Sequence, residues 1–288
     1  MRNALTIDVE EHFQAHAYEN VIDRSAWERF PSRVVRNTQR VLEVLADHRT
    51  HATFFVLGWV AERHPDLVRA IAAAGHEIGS HGYAHQLLYR QSPAEFADDL
   101  ARSLGAIERA LGGGNHLLGY RAPGFSLTDE TLWALDILRA HGLAYDSSLQ
   151  PVDRRGGSAL RGGKRCGVSG ASRFAARVGA GLWEFPVSTV RLGGRNWPVA
   201  GGGYFRLLPL WVTRQAIARI NAEGQPAIVY LHPWELDPEE PRLPEASTLS
   251  SLRHRVNLGR TEGRLRRLLG KGQFGPLRDV FADRLRAA

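Results

Sequence analysis

The chain has 288 residues, 43% of them hydrophobic and 23% charged, a composition typical of a globular protein with one large core or two small ones. This composition excludes a disordered or fibrous protein, and no apolar run reaches the roughly 18 to 20 residues that a membrane-spanning helix needs. Because the opening residues become acidic at Asp8, we expect no secretory signal and a cytoplasmic location. The single cysteine, Cys166, predicts neither an intramolecular disulfide nor a thiolate metal site.

The net charge of +7 is concentrated at the C-terminus, where residues 251–288 contain ten basic and three acidic side chains. The rest of the chain contains 27 of each sign and is formally neutral, so we expect no nucleic-acid partner. The basic tail has two interpretations. It is either a solvated helical face packed on the fold, or a peripheral contact with an anionic membrane or a lipid-linked glycan.

Short β-type runs alternate with longer segments of helical period, which predicts a parallel sheet with crossover helices. Helices are expected after Pro65 and after Ser92, where Ser92 and Glu95 form a capping box. Residues 152–181 are rich in Gly and Arg with little periodicity, which is typical of a surface insertion. The predicted strands are 4–9, 52–57, 76–80, 116–120, 143–146, 182–187 and 227–231.

The ends of two predicted strands carry potential metal ligands. Asp8 and Glu10 share one face at the end of the first strand, and such a carboxylate pair suits a metal ligand and a general base. His81 and His85 follow the third strand, and on a helical turn two imidazoles at this spacing can share a Zn²⁺ or similar ion. Each segment by itself is equally compatible with ordinary loop or core residues.

Three further strand ends carry polar groups. Arg121 can orient a carboxylate through paired hydrogen bonds, or it is a surface arginine before a turn. Asp146 either caps a turn or supports a histidine. His232 is either a general acid or a packed core residue. Five polar groups at successive strand ends favour a common site over five unrelated structural roles.

This ordered set resembles the polysaccharide deacetylase family with the NodB-type homology domain, over residues 4 to about 235. The matching positions are Asp8 for the catalytic base, His81 and His85 for the His-x-x-x-His metal pair, Arg121 to Gly124 for the Arg-x-Pro-Gly motif, Asp146 for the His-supporting Asp, and Leu231-His232 for the Leu-x-His motif without its spacer.

Four motifs are similar to those of the deacetylases found in exosortase-associated exopolysaccharide loci, which extends the resemblance into the tail. Most members of the wider family have a metal-binding Asp where this chain has Val9, and Glu10 is the natural substitute because it shares a face with Asp8. The four motifs that are similar to those of the exopolysaccharide-locus deacetylases are Asp8 to Glu10, Gly202 to Arg206, His232 to Glu235 and Arg253 to Leu258.

The resemblance implies an α/β fold, a distorted (β/α)7-type barrel over residues 1–238 with 152–181 as a surface insertion. Residues 239–288 are then a basic helical C-terminal extension. It also implies a metal-dependent hydrolase that removes N-acetyl groups from amino sugars of an exopolysaccharide, with an N-acetylated polysaccharide or oligosaccharide as its partner.

The same resemblance implies a role for each site residue. Glu10, His81 and His85 are expected to bind a divalent metal ion, zinc. Asp8 is the expected base, held by Arg121, and His232, supported by Asp146, is the expected acid. The expected substrate-binding residues are Tyr120, Pro123, Gly124, Phe125, Tyr204 and Trp234.

Three other functions fit parts of the pattern. A hydrolase similar to the allantoinases would act on a small or cyclic amide with the same metal site. A glycoside hydrolase would pair Asp8 or Glu10 with Glu235 and produce new reducing ends without a metal. A non-catalytic barrel would bind glycans only, and Val9 is its one specific support. Acetate release and metal content discriminate among these functions.

Overall fold

The computed structural model describes residues 1–15, 18–19, 21–113, 117–152, 168–179, 181–241 and 254–286. Its central element is a parallel sheet in the order β10-β1-β2-β3-β4-β5-β7, and β6 adds an antiparallel edge strand. The strands are β1 Asn3–Val9, β2 Thr53–Val56, β3 Glu77–Ser80, β4 Gly119–Tyr120, β5 Tyr145–Asp146, β6 Ala176–Val178, β7 Leu182–Glu184, β8 Thr189–Leu192, β9 Arg195–Pro198, β10 Ile228–Leu231 and β11 Phe274–Gly275.

The helices between the parallel strands begin and end where local sequence signals predict. Before α4, the Ser92 hydroxyl accepts from the Glu95 amide and the Glu95 carboxylate accepts from the Ser92 amide, which confirms the capping box; Gly112, in the left-handed conformation, ends the helix. The helices are α1 Val34–Asp47, α2 Gly58–Arg63, α3 Pro65–Ala73, α4 Pro93–Leu111, α5 Trp133–Ala140, α6 Gly202–Leu207, α7 Leu210–Ala222, α8 Leu258–Leu269, α9 Leu277–Val280 and α10 Ala282–Arg286.

The parallel sheet is curled, and irregular backbone joins its two sides. The Ser188 amide after β7 donates to the Ile228 carbonyl at 3.2 Å, and the Tyr230 amide of β10 donates to the Ala200 carbonyl at 2.9 Å. The curled sheet of parallel strands confirms the predicted (β/α)7-type fold. All the parallel strands direct their carboxyl ends to one edge, where barrels of this kind build their sites.

The middle strands are shorter than predicted, and the ring of Tyr145 packs directly on the backbone of β4. β4 begins only at Gly119, where a Cβ atom would lie 2.1 Å from the ring of Tyr145. Part of the predicted insertion is ordered as β6, which pairs antiparallel with β7. Residues 153–167 and residue 180 of this insertion lie outside the described residues. Cys166 is one of them.

The C-terminal segment enters the main sheet, which the sequence did not predict. β11 pairs in parallel with Asn3 and Ala4 at the start of β1. Beyond it, Leu277 and Phe281 are buried with Phe185 in a second apolar cluster. Phe274, Leu277 and Phe281 are therefore part of the core.

Several basic side chains of the tail bind groups of the protein itself. Arg264 donates to the carbonyls of Phe205 and Leu208, and Arg266 pairs with Asp47 at 2.7 Å. Arg278 donates to the Gly75 carbonyl. This arrangement is that of a helical face packed on the barrel. Among the described helices, none combines the length and apolar character required to cross a bilayer.

We expect Leu277→Ala to lower the free energy of unfolding by about 2 to 5 kcal/mol, because the removed side chain is fully buried. The change should appear as a lower urea midpoint. Leu132→Ala is the matched control, because Leu132 is 40% exposed and its loss should change the free energy by no more than about 0.5 kcal/mol. Equal midpoints for the two variants would contradict the integration of the C-terminal segment.

Candidate metal and catalytic site

Three side chains form a potential metal site at the carboxyl edge of the sheet. Glu10 follows β1, and His81 and His85 follow β3. Ligand atoms of these residues all lie within 4.8 Å of one another, and all three side chains are buried. The Glu10 Oε2 atom lies 2.8 Å from His85 Nε2 and 3.9 Å from His81 Nε2. The sequence prediction that these residues converge is confirmed.

The two histidines converge through a loop, so the predicted helical turn is wrong. Gly82 and His85 both have positive φ angles, 75° and 49°, which reverse the chain twice within this loop. The Asp99 carboxylate of α4 fixes the reversal by accepting from the Tyr83 and Ala84 amides at 2.7 and 3.1 Å. The imidazole ring centroids are 5.5 Å apart.

The electrostatics of the cluster suit a cation. Burial tends to raise the pKa of Glu10, but His85, His232 and His81 outweigh it and hold the pKa well below its usual range. Burial lowers the pKa of His81 to about 4, so its ring is neutral at pH 7. His81 Nδ1 lies 2.7 Å from the Arg121 carbonyl and donates to it, which leaves the Nε2 lone pair directed at the cluster.

The buried Glu10 Oε2 atom has no hydrogen bond of suitable geometry among the described residues, although two imidazole nitrogens lie close to it. A buried carboxylate oxygen without a donor is costly unless a cation binds it. Two imidazoles and one carboxylate are also the ligand set of open catalytic zinc sites. The residues present therefore fit a divalent ion.

Asp8 lies one strand repeat before Glu10 and forms the expected pair with Arg121. Arg121 Nη1 donates to Asp8 Oδ1 at 2.8 Å and to Thr6 Oγ1 at 2.7 Å. The other side of the guanidinium donates to the Ser147 carbonyl and hydroxyl. Arg121 is fully buried, so this network holds the Asp8 carboxylate in one orientation.

His232 is supported by Glu235, and the predicted support from Asp146 is wrong. After β10 the chain forms a 3₁₀ turn, which brings Glu235 Oε1 to 2.8 Å from His232 Nδ1. The other oxygen of Glu235 accepts from Arg206 Nε at 2.7 Å. Arg206 itself donates to the backbone carbonyls of His254 and Val256 in the C-terminal region.

Asp146 has a different set of neighbours. It accepts from the Ser148 hydroxyl and lies opposite Glu184 on the paired strands β5 and β7. Burial raises the pKa of Asp146 to about 6. Burial and the adjacent Asp146 raise the pKa of Glu184 well above its usual value, so Glu184 is the protonated partner. This carboxyl pair lies on adjacent strands, and within the described part of the chain neither carboxyl forms a hydrogen bond with His232, since His232 Nδ1 faces Glu235.

The surroundings of His232 favour its protonated form. Burial tends to lower the pKa of His232, but the charge of Glu10, the hydrogen bond that His232 donates to Glu235 and the charge of Asp8 together raise it to about 9. Since Nδ1 faces Glu235, the Nε2 atom is the one directed into the site, 3.7 Å from Glu10 Oε1. An imidazolium here can donate its Nε2 proton.

Trp234 orients Glu10, a candidate metal ligand, and its burial does not fit the predicted role in substrate binding. Its indole nitrogen donates to Glu10 Oε1 at 3.1 Å. Its ring is stacked between His232 and His254, with centroid distances of 4.9 and 4.1 Å. Because the side chain is only 4% exposed and both its faces are covered, it presents no surface to a sugar.

The other predicted substrate-binding residues differ in how far they are buried. Tyr120 and Pro123 are buried, and Tyr120 packs edge-to-face on Phe96, so their contact with substrate stays a prediction. Gly124 and Phe125 are half-buried, and the Phe125 ring contacts Tyr230 beside His232. Tyr204 is 41% exposed.

The fold and this cluster define an α/β barrel protein with a metal-type ligand set at the carboxyl edge of its sheet. Residues 23–145 match the family model described as "Polysaccharide deacetylase". Residues 147–282 match a second model, described as "Domain of unknown function (DUF3473)". Residues 23–145 are therefore similar to polysaccharide deacetylases.

Curated relatives match over part of their length. A chitooligosaccharide deacetylase from Bradyrhizobium sp. (strain ANU 289) is 42% identical over 73 residues, which cover 25% of this chain and 33% of the relative. A peptidoglycan-N-acetylglucosamine deacetylase from Bacillus cereus is 32% identical over 123 residues, 42% of this chain and 43% of the relative. The matched stretch thus spans less than half the length of each of these relatives.

Solved structures show the same fold over nearly the whole chain. A presumed polysaccharide deacetylase from Mycobacterium smegmatis has a TM-score of 0.61 and 23% identity, covering 99% of this chain and 89% of that one. A family 4 carbohydrate esterase from Streptomyces lividans, solved with acetate, has a TM-score of 0.51 and 17% identity, covering 96% and 91%. At these identities the likeness establishes the fold.

We expect Trp234→Phe to weaken Zn²⁺ binding about 10- to 100-fold, because it removes the hydrogen bond that orients Glu10 while it retains most of the ring. Glu10→Gln and His81→Ala should weaken it further, since each removes a ligand. The measurement is a titration against a chromophoric chelator. Trp133→Phe, a partly buried tryptophan of α5, is the control and should bind as the wild type does. Unchanged binding in Glu10→Gln and His81→Ala would refute the site.

Proposed function

We propose that the protein is a metal-dependent hydrolase that removes acetyl groups from N-acetylated amino sugars of a polysaccharide. The observation that carries this proposal is the convergence of Glu10, His81 and His85 between a fixed carboxylate, Asp8, and a protonated imidazole, His232. Amide hydrolysis needs a base for the attacking water and an acid for the departing amine, and these two groups lie next to the ligand cluster.

Glu10, His81 and His85 are the residues that would hold the ion. A bound zinc or similar ion supplies a Lewis acid for the acetyl carbonyl and lowers the pKa of water toward about 7. Trp234 and the Arg121 carbonyl restrain two of these ligands from outside, which fixes the carboxylate orientation and the histidine tautomer.

Asp8 takes the proton of the attacking water in this proposal. Its orientation is set by Arg121, which is anchored in turn by Thr6 and Ser147, so the carboxylate cannot rotate freely. A base held in this way requires little reorganisation when the substrate binds. Arg121 is thus a positioning residue that acts through Asp8.

His232 gives a proton to the departing amine. The Glu235 carboxylate accepts from Nδ1, which leaves the second ring proton on Nε2, the nitrogen that faces the ligand cluster. With a pKa of about 9, the acid form predominates at neutral pH. Arg206 keeps Glu235 in place, so the orientation of His232 depends on two buried side chains, Glu235 and Arg206.

The relatives are named for chitooligosaccharides and for peptidoglycan, both substrates with N-acetylated amino sugars. This supports an N-acetyl-hexosamine polymer as substrate, and the motifs shared with exopolysaccharide-locus deacetylases favour an exopolysaccharide. The half-buried Phe125 beside Tyr230 and His232 offers an apolar contact for a sugar ring. A glycoside hydrolase is disfavoured because both oxygens of the buried Glu235 are already bonded.

Asp8→Asn and His232→Ala should each lower kcat for acetate release from N-acetylated chito-oligosaccharides by about 10²- to 10⁴-fold, because each removes a positioned acid or base. Zn²⁺ content and urea midpoint are measured in parallel to exclude loss of the site or the fold. Asp283→Asn and His141→Ala change exposed residues of the same types and should retain wild-type rates. Wild-type turnover in Asp8→Asn would overturn its assignment as the base.

The pH profile of kcat/KM should have an alkaline limb set by His232, because activity is lost as the imidazolium deprotonates through a pKa that Glu235 raises. Glu235→Gln removes a negative charge that raises this pKa, so the limb should move to lower pH by roughly one unit or more. Asp283→Asn should leave the limb in place. An unmoved limb in Glu235→Gln would contradict the role of Glu235.

A further inference from the structure

A second concave surface lies away from the ligand cluster, between the β8–β9 hairpin and helices α6 and α7. It is a groove of about 710 Å³. Its hairpin wall is formed by Val190, Leu192, Arg195 and Trp197, which the antiparallel register places on one face. The opposite wall includes Tyr204, Leu208, Trp211, Val212, Ala216 and Arg219. We call this surface the hairpin groove.

The hairpin groove concentrates exposed apolar side chains. Eight large apolar residues of the described part are exposed, and four of them line this groove: Leu192, Trp197, Tyr204 and Trp211. Trp211 is 67% exposed and Trp197 is 51% exposed. A contiguous apolar surface of this kind on a protein usually marks a contact with a partner or a membrane.

The charge around this apolar surface is positive. Arg195 and Arg219 line the groove, and Arg191 projects from the other face of the hairpin. Within the described residues no carboxylate pairs with any of these three arginines. Their side chains are therefore available to an anionic group at the edge of the apolar surface. A lipid with an acyl chain and a phosphate headgroup has this combination of properties.

Two other occupants fit less well. A second copy of the chain in a symmetric contact would bring Arg195 and Arg219 of both copies onto the same patch, and like charges would oppose each other. A glycan needs side chains that bond its hydroxyl groups, and the groove offers Asn196 and Gln215 besides its two arginines, fewer than the aliphatic residues of the lining. The observed charge and apolarity favour a lipid surface.

We propose that the hairpin groove is a peripheral membrane-binding surface that inserts Leu192, Trp197 and Trp211 among the lipids and binds anionic headgroups through Arg195 and Arg219. Tryptophan, leucine and arginine are the residues that such interfacial elements use. The basic tail is a weaker candidate because Arg264, Arg266 and Arg278 already bond groups of the protein.

The test is co-sedimentation of the full chain with vesicles of phosphatidylcholine alone or mixed with phosphatidylglycerol. The wild type should bind the mixed vesicles and release them at high salt. The double variant Leu192→Ser/Trp211→Ser should bind at least about tenfold more weakly, because two exposed apolar side chains are removed. Arg195→Gln and Arg219→Gln should each weaken binding roughly fivefold.

Matched controls carry the same changes elsewhere. Leu132→Ser alters a leucine that is 40% exposed beside α5, and Arg286→Gln alters an exposed arginine at the C-terminus. Both should bind vesicles as the wild type does. Acetate release from a soluble chito-oligosaccharide should be unchanged in every one of these variants, and vesicle binding is measured without turnover, so the two proposals can fail separately.

Three results would overturn the membrane surface. The first is a failure of the vesicle test, either because the wild type does not bind anionic vesicles or because the groove variants bind them as well as the controls do. The second is a wild-type dimer in sedimentation equilibrium that becomes a monomer in Leu192→Ser/Trp211→Ser, which would assign the groove to a second copy. The third is quenching of the Trp211 fluorescence by a chito-oligosaccharide but not by vesicles, which would assign it to glycan.

Discussion

The burial of the Glu10 carboxylate is the constraint on which the site depends. A charged oxygen in the interior is stable only if cations or donors surround it, and within the described part of the chain Glu10 accepts a hydrogen bond from Trp234 on Oε1. Its other oxygen faces His81 and His85. The Arg121 carbonyl fixes the ring of His81, and Asp99 fixes the loop that carries His85 by accepting from a loop amide. The surroundings thus confine the carboxylate to a position that a divalent ion would share with two imidazoles.

The two matched regions meet at Asp146 in β5, yet residues on both sides of this point belong to one sheet and one site, and Asp8 and Glu10 precede the first match. The first part of the chain contributes the ligand cluster, Asp8 and Arg121. The second part contributes His232 and the groups that hold it, with Arg206 bonded to the carbonyls of His254 and Val256. The ring of His254 also covers Trp234. The C-terminal region therefore supports both the Glu235–His232 pair and Trp234, which donates to Glu10.

Features with a local signal were predictable from the sequence. The capping box of α4 and the apolar runs of the parallel strands identify those elements, and polar residues after the strands identify the edge that carries the site. The β8–β9 hairpin was missed although its Gly193-Gly194 pair between two short strands is a turn signal that could have identified it.

Features that depend on distant or irregular backbone could not be predicted. Glu235 reaches His232 only because a 3₁₀ turn follows β10, whereas the family pattern pointed to Asp146. The burial of Tyr120 results from the packing of α4 over a two-residue strand. The pairing of β11 with β1 joins residues more than 270 positions apart, for which no local pattern exists.

The central claim is that one cation binds between Glu10, His81 and His85, and anomalous diffraction from crystals grown with Zn²⁺ tests it most directly. We predict a single strong anomalous peak within bonding distance of Glu10 Oε2 and the Nε2 atoms of both histidines. A peak bound to other side chains, or crystals that take up no zinc at this edge of the sheet, would contradict the account.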